Sequence, residues 1–139
     1  MSESQETSDA QISQRLLIIE DSADYRALLT KLFKKHGYTV NCASNGKEAI
    51  DYLVNQTQLP NLILLDLMMP VMDGFEFRKK QVQEDRLAKI PTILMTAHGD
   101  LQTARDRLGV TDYVRKPVEM TELLSLVSRA TSAAIQSVG

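Results

Sequence analysis

Three short apolar runs limit most strongly what this chain can become: "LLII" at 16–19, "LILL" at 62–65 and "TILM" at 92–95. None alternates apolar with polar residues, as a strand with one wet face would, so each reads as a strand buried on both faces. Strands of that kind belong to parallel sheets covered by helices on each side. Weaker runs, "YTVNCA" at 38–43 and "YVR" at 113–115, read as two further strands.

Helical spacing fills the intervals. Tyr25, Leu28, Leu29, Leu32 and Phe33 follow a period of about 3.6 residues, and Met120, Leu123, Leu124 and Val127 repeat it near the end. Asn45 and Asp73 each stand three residues before a glutamate, Glu48 and Glu76, a variant of the capping box that starts a helix. Between 100 and 108 only Leu101, Ala104 and Leu108 keep helical register, which predicts a short, thinly packed helix. The order is strand then helix, five times over, with no internal repeat. A doubly wound α/β fold with a five-stranded parallel sheet is expected.

Composition bounds the rest. With 139 residues, 43% hydrophobic and 24% charged, the chain has the make-up of one globular domain with a real core. A net charge of −2 gives no electrostatic footprint for nucleic acid, and the basic runs "KLFKK" and "FRKKQ" read as solvated helix faces. The single cysteine, Cys42, can form no intrachain disulfide. Residues 1–14 carry three acids and no base and read as a disordered lead-in; 15–131 is the expected domain and 132–139 a tail. The lead-in lacks a signal-peptide pattern, and no window reaches the roughly 20 apolar residues of a membrane span, so a cytoplasmic location is expected.

The stretch "NLILLDLMMP" raises the functional question, because it ends an unbroken apolar run in Asp66. An ionised carboxylate in such surroundings is costly unless partners compensate it. In open parallel sheets ligands bind beyond the carboxyl ends of the strands, so the residues after each run should converge. These are Glu20 and Asp21, Asp66, Thr96 and Ala97, and Lys116 and Pro117. Three acids placed together either hold a proton or recruit a cation, and an all-oxygen site with few ligands suits Mg²⁺. A carboxylate so placed can attack a phosphoryl group, with the metal and a lysine neutralising charge on the equatorial oxygens.

In these features the chain resembles the receiver domain of two-component response regulators from about residue 15 to 130, which implies the flavodoxin-like strand order 2-1-3-4-5. The resemblance rests on "ED" after the first strand, "LLDLMMPVMDG" around Asp66, "TA" after the fourth strand and "YVRKP" at the fifth. It implies that Asp66 accepts a phosphoryl group, and that Glu20, Asp21, Asp66 and the Met68 carbonyl hold Mg²⁺, or Mn²⁺ in its place, with Glu20 reaching it directly or through water. Lys116, Thr96 and the Ala97 backbone would contact the phosphoryl oxygens. Tyr113 matches the aromatic switch position that works with Thr96, and the Lys116-Pro117 peptide is expected to be cis. Met68 and His98, each two residues beyond a site residue, are the positions expected to set the lifetime of the phosphoryl group. Glu20 stands where the family more often has aspartate, and the stretch from Thr96 to Lys116 is slightly shorter than usual.

The implied function is phosphoacceptor signalling in a two-component system or phosphorelay. The donor would be a histidine kinase or histidine phosphotransfer protein, and output would pass through a downstream protein target. The domain would act as a monomer or a phosphorylation-dependent dimer, with neither nucleic acid nor membrane as partner. It would catalyse only its own phosphorylation and dephosphorylation. The alternative within the family is the receiver half of a longer regulator. A haloacid-dehalogenase-type phosphatase is disfavoured because the position needing a second acid holds Met68. Flavin and nucleotide readings lack the phosphate-binding loops they require.

Overall fold

The computed structural model describes residues 14–138, so the lead-in, except for Gln14, lies outside the described residues. In chain order the elements are β1 (Arg15–Ile19), α1 (Ala23–Lys35), β2 (Thr39–Ala43), α2 (Gly46–Val54), β3 (Leu62–Leu65) and α3 (Gly74–Gln83). A single helical turn, Asp85–Ala88, then precedes β4 (Thr92–Thr96), α4 (Leu101–Leu108), β5 (Asp112–Arg115) and α5 (Met120–Val138). The strands form one sheet in the order β2-β1-β3-β4-β5, and every pairing is parallel. This is the expected doubly wound fold.

Successive residues of a strand face opposite sides, so a sheet covered twice needs apolar residues at every position. Leu17, Ile19, Ile63, Leu65 and Leu94 pack with residues of α2, α3 and α4. Leu16, Ile18, Leu62, Leu64 and Ile93 pack on the other face with Leu29 and Phe33 of α1 and Leu123 and Val127 of α5. β2 and β5 are the edges; only Ala43 of one and Val114 of the other are fully buried, which is why their sequence signal is weak.

Local chemistry sets the helix starts. The Asp73 side chain accepts the Glu76 N–H at 2.9 Å and Glu76 accepts the Asp73 N–H at 3.1 Å, a complete capping box. Asn45 caps Glu48 in the same way, but the Glu48 carboxylate takes the Ser44 N–H at 2.6 Å instead of that of Asn45. Ser22 and Asp100 cap α1 and α4 without a returning glutamate, which is why neither start is announced in the sequence. At Gly74 a side chain is excluded: a Cβ there would stand 2.6 Å from the Asp66 carbonyl oxygen, so the first turn of α3 lies directly against the end of β3.

Two expectations need correction. The run "FRKKQ" is not wholly a solvated face: Arg78 and Gln81 are buried, while Lys79 and Lys80 are exposed. Arg78 turns inward to donate to the Leu108 and Gly109 carbonyls at the end of α4, and Gln81 to donate to the Leu87 carbonyl and Thr92 Oγ1. The last helix runs on to Val138, through most of the stretch read as a tail. Among the described residues no helix is long and apolar enough to cross a membrane.

Candidate functional site

β1 delivers Glu20 and Asp21, and β3 delivers Asp66, to one edge of the sheet, where one carboxylate oxygen from each lies within 4.8 Å of the other two. The Asp66 N–H extends the ladder by donating to the Ile19 carbonyl at 3.0 Å. Glu20 and Asp66 are buried, at 1% and 4% exposure, whereas Asp21 is open to solvent. Burial at that level requires a partner for each charge. Lys116 supplies it: its Nζ donates to Asp66 Oδ2 at 3.0 Å and also to Glu20 Oε1. Met68 N–H donates to Asp66 Oδ1 at 3.1 Å, and Ser22 N–H to Glu20 Oε2 at 2.9 Å, so each buried carboxylate has both oxygens engaged.

These contacts set the protonation behaviour. Burial pushes the Glu20 carboxyl above its usual range, against the pull of the Lys116 and Ser22 hydrogen bonds. For Lys116 burial works against the charge, but the hydrogen bonds to Glu20 and Asp66 outweigh it and hold the ammonium above its ordinary value. Three carboxylates against one ammonium leave surplus negative charge at the mouth, on the side of exposed Asp21. An all-oxygen donor set with such a surplus and one open side fits Mg²⁺.

The remaining residues from the sequence reading surround this cluster. Thr96 ends β4, buried; its carbonyl accepts the Lys116 N–H at 3.1 Å and its hydroxyl the His98 N–H at 3.4 Å. The Lys116-Pro117 peptide is cis. Ala97 and His98 are exposed. Met68, 54% exposed, and His98 line one cleft of about 280 Å³ with Phe75, Ala104 and Arg107. Tyr113 is half-buried on β5, with the Arg105 guanidinium 5.4 Å from its ring centre.

Three features escape sequence reasoning. The ring of Tyr25 lies 4.6 Å from Lys116 Nζ, a cation–π contact made by a residue legible only as part of a helix stripe. Arg115 reaches back to the carbonyls of Ala97 at 3.3 Å and Gly99 at 2.9 Å, bracing the loop after β4. Val71 sits at φ 68°, an unusual conformation for a β-branched residue, with the Met72 N–H bonded to the Pro70 carbonyl at 2.7 Å across it.

Residues 16–128 match the family model described as the response regulator receiver domain. The chain belongs to that family. Among receiver relatives, it is 33% identical over 120 residues to sporulation initiation phosphotransferase F of Bacillus subtilis, covering 85% of this chain and 94% of the relative. It is 36% identical over 118 residues to the regulatory protein AtoC of Escherichia coli, covering 84% of this chain but only 25% of that longer protein. The receiver domain of a sensor histidine kinase from Pseudomonas aeruginosa, solved with a magnesium ion coordinated in its active-site cleft, superposes with a TM-score of 0.77 at 26% identity, covering 86% of this chain and 98% of the other.

Proposed function

We propose that this receiver domain takes a phosphoryl group onto Asp66 from a phosphohistidine on a histidine kinase or phosphotransfer protein, in the cytoplasm, and signals by a change in protein contacts. One Asp66 oxygen forms the new bond to phosphorus as the bond from phosphorus to the imidazole nitrogen breaks, and the electron pair leaves with the imidazole. Asp21, Asp66, Glu20 and the Met68 carbonyl would hold Mg²⁺, or Mn²⁺, which when bound neutralises phosphoryl oxygen charge. Lys116, the Thr96 hydroxyl and the Ala97 N–H take the other phosphoryl oxygens. Lys116 must then share its donors among phosphoryl oxygen, Asp66 and Glu20, and Thr96 must release the His98 N–H. That exchange carries the change toward α4 and Tyr113.

The observation that carries this reading is the convergence of Glu20, Asp21 and Asp66 at one edge of the sheet, with Lys116 donating to both buried members, Glu20 and Asp66, and Asp66 at the end of the central strand. The test compares intact masses of wild type and Asp66→Asn after treatment with acetyl phosphate and Mg²⁺. One added phosphoryl group on wild type and none on the variant is expected; equal addition to both would end the assignment.

A further inference from the structure

Beside the far end of α4 lies a buried guanidinium that makes no ion pair among the described residues. Arg78 of α3 is 8% exposed. Its Nε donates to the Leu108 carbonyl at 3.0 Å, its Nη2 to the Gly109 carbonyl at 2.9 Å and its Nη1 to Gln81 Oε1 at 2.8 Å. Gln81, wholly buried, spends its amide N–H groups on the Leu87 carbonyl at 3.0 Å and Thr92 Oγ1 at 3.2 Å. A continuous polar chain therefore ties the end of α4 through α3 to the start of β4.

The partners of Arg78 follow from how α4 ends. A helix leaves its last carbonyls without intrahelical donors, at the negative end of its dipole. Gly109, in the left-handed conformation, and Val110 both send their N–H groups to the Arg105 carbonyl, at 2.9 and 3.3 Å, and leave the carbonyls of Leu108 and Gly109 to Arg78. A planar guanidinium presents five N–H donors in a fixed fork, and Arg78 uses one from each nitrogen; an ammonium, with its donors on a single nitrogen, cannot reach the same three acceptors. The opposite end of α4 is held differently. Asp100 and Gly99 are exposed, Arg115 braces the loop from the surface, and Leu101 is the one fully buried residue the helix contributes. That end follows directly on Thr96.

We infer that Arg78 is a positioning residue that pins the C-terminal end of α4, so that phosphorylation swings the N-terminal end of the helix about the Leu108–Gly109 corner. The pin is a property of this chain's own contacts; the swing rests on the phosphoacceptor reading above. Two ends of one helix thereby have different tasks: one receives the displacement at Thr96, the other converts it into rotation.

Hydrogen exchange on the full chain tests this, with wild type, Arg78→Met and Arg78→Lys each measured before and after acetyl phosphate and Mg²⁺. In wild type, phosphorylation should change exchange at residues 98–104 and leave Gly109 and Val110 as they were. In Arg78→Met the Gly109 and Val110 amides should exchange at least about tenfold faster without any phosphoryl group, while β1 and β3 keep wild-type rates. After phosphorylation the change should spread to them. Arg78→Lys, with charge but no fork, should lie between, and carries the test if the methionine variant does not fold. Unchanged Gly109 and Val110 in the variants would overturn the pin, as would equal acceleration throughout the sheet. In wild type, a phosphorylation response at Gly109 as large as at Leu101 would overturn the swing. If wild type gains no phosphoryl mass, the phosphoacceptor reading and the swing fall together, and the unphosphorylated proteins still decide the pin.

Discussion

The centre of the sheet and the α4 flank are built from different forces. Every residue of β3 is buried, as are four of the five in β1, and Asp66, the proposed acceptor, ends that apolar platform. α4 contributes one fully buried residue, Leu101. Arginines hold its surroundings: Arg78 at its C-terminal carbonyls, Arg105 over Tyr113, Arg107 with its guanidinium 5.5 Å from the Phe75 ring centre, and Arg115 at the preceding loop. Apolar burial yields about 25 cal/mol per Å² and resists any movement that opens a gap. Polar contacts at a surface, such as those of Arg115, are weaker and can be exchanged one for another with little net cost, whereas the buried Arg78 holds the far end of α4 in place. The proposed chemistry therefore sits on the tightly packed part of the molecule, and the proposed response on the loosely packed part.

The strongest way to break this comparison is to attack the rigid side at its one charged joint. Lys116→Met leaves Glu20 and Asp66 buried without their cation. Breaking a buried pair by removing one partner costs about 3–5 kcal/mol, and because the Lys116 side chain keeps 19% exposure we expect roughly 2–3 kcal/mol near neutral pH. The pH dependence gives the sign. Glu20 titrates above the usual carboxylate range, so on acidification it takes up a proton early and the deficit of the variant shrinks. In wild type the Lys116 contribution is complete below the ordinary lysine value of 10.5 and is lost as pH rises through its higher folded value, so the two proteins should converge again at strongly alkaline pH. Urea unfolding across pH measures this. A deficit that is independent of pH would show that packing, not charge, is what Lys116 supplies.

The same division explains what the sequence reveals. The unalternating runs at 16–19, 62–65 and 92–95 are apolar because both sheet faces are covered, and a residue breaking such a run, as Asp66 does, announces itself. Glu20, Asp21, Asp66 and Lys116 were legible for that reason, since each follows a strand. The flank was not. Arg78 stands in a run of basic residues that looks like a wet helix face, and its partners are backbone carbonyls, which carry no residue-type signal at all. Tyr25 likewise showed its helical period but not the cation above its ring.

Met68 stands where the two regions meet, and its effect should be smaller than that of Lys116. Its backbone N–H is fixed to Asp66, while its side chain, 54% exposed, lines the cleft toward α4. A thioether offers a water no useful hydrogen bond and can cover a phosphoryl group on Asp66, so self-dephosphorylation should be slow. Met68→Asn adds one hydrogen-bonding group able to orient an attacking water, worth roughly 1 kcal/mol, or about fivefold in decay rate. His98→Ala should change decay little, because His98 is a solvated loop residue. Following loss of the phosphoryl mass with time tests both. Unaltered decay in Met68→Asn would remove the shielding role, and strongly slowed decay in His98→Ala would transfer control of the water to the α4 side.

The smallest expected effect separates the two ends of α4 from each other. Asp100 accepts the Thr103 hydroxyl at 2.8 Å and the Thr103 N–H at 3.2 Å, and these bonds hold its carboxyl below its ordinary value of 3.8. A depressed carboxyl stabilises the fold fully above its unfolded value and loses that contribution as pH falls through the lower folded one. Protection of the Thr103 amide, corrected for intrinsic exchange, should therefore hold steady above 3.8 and decline below it. Gly109 and Val110 should not follow, because the guanidinium of Arg78 stays charged throughout acid. Asp100→Asn retains a capping oxygen but cannot titrate, so it should keep most of the neutral-pH protection and lose the dependence on pH. If Gly109 and Val110 weaken in step with Thr103 as the acid is added, α4 opens as one body, and its ends are not held by separable contacts.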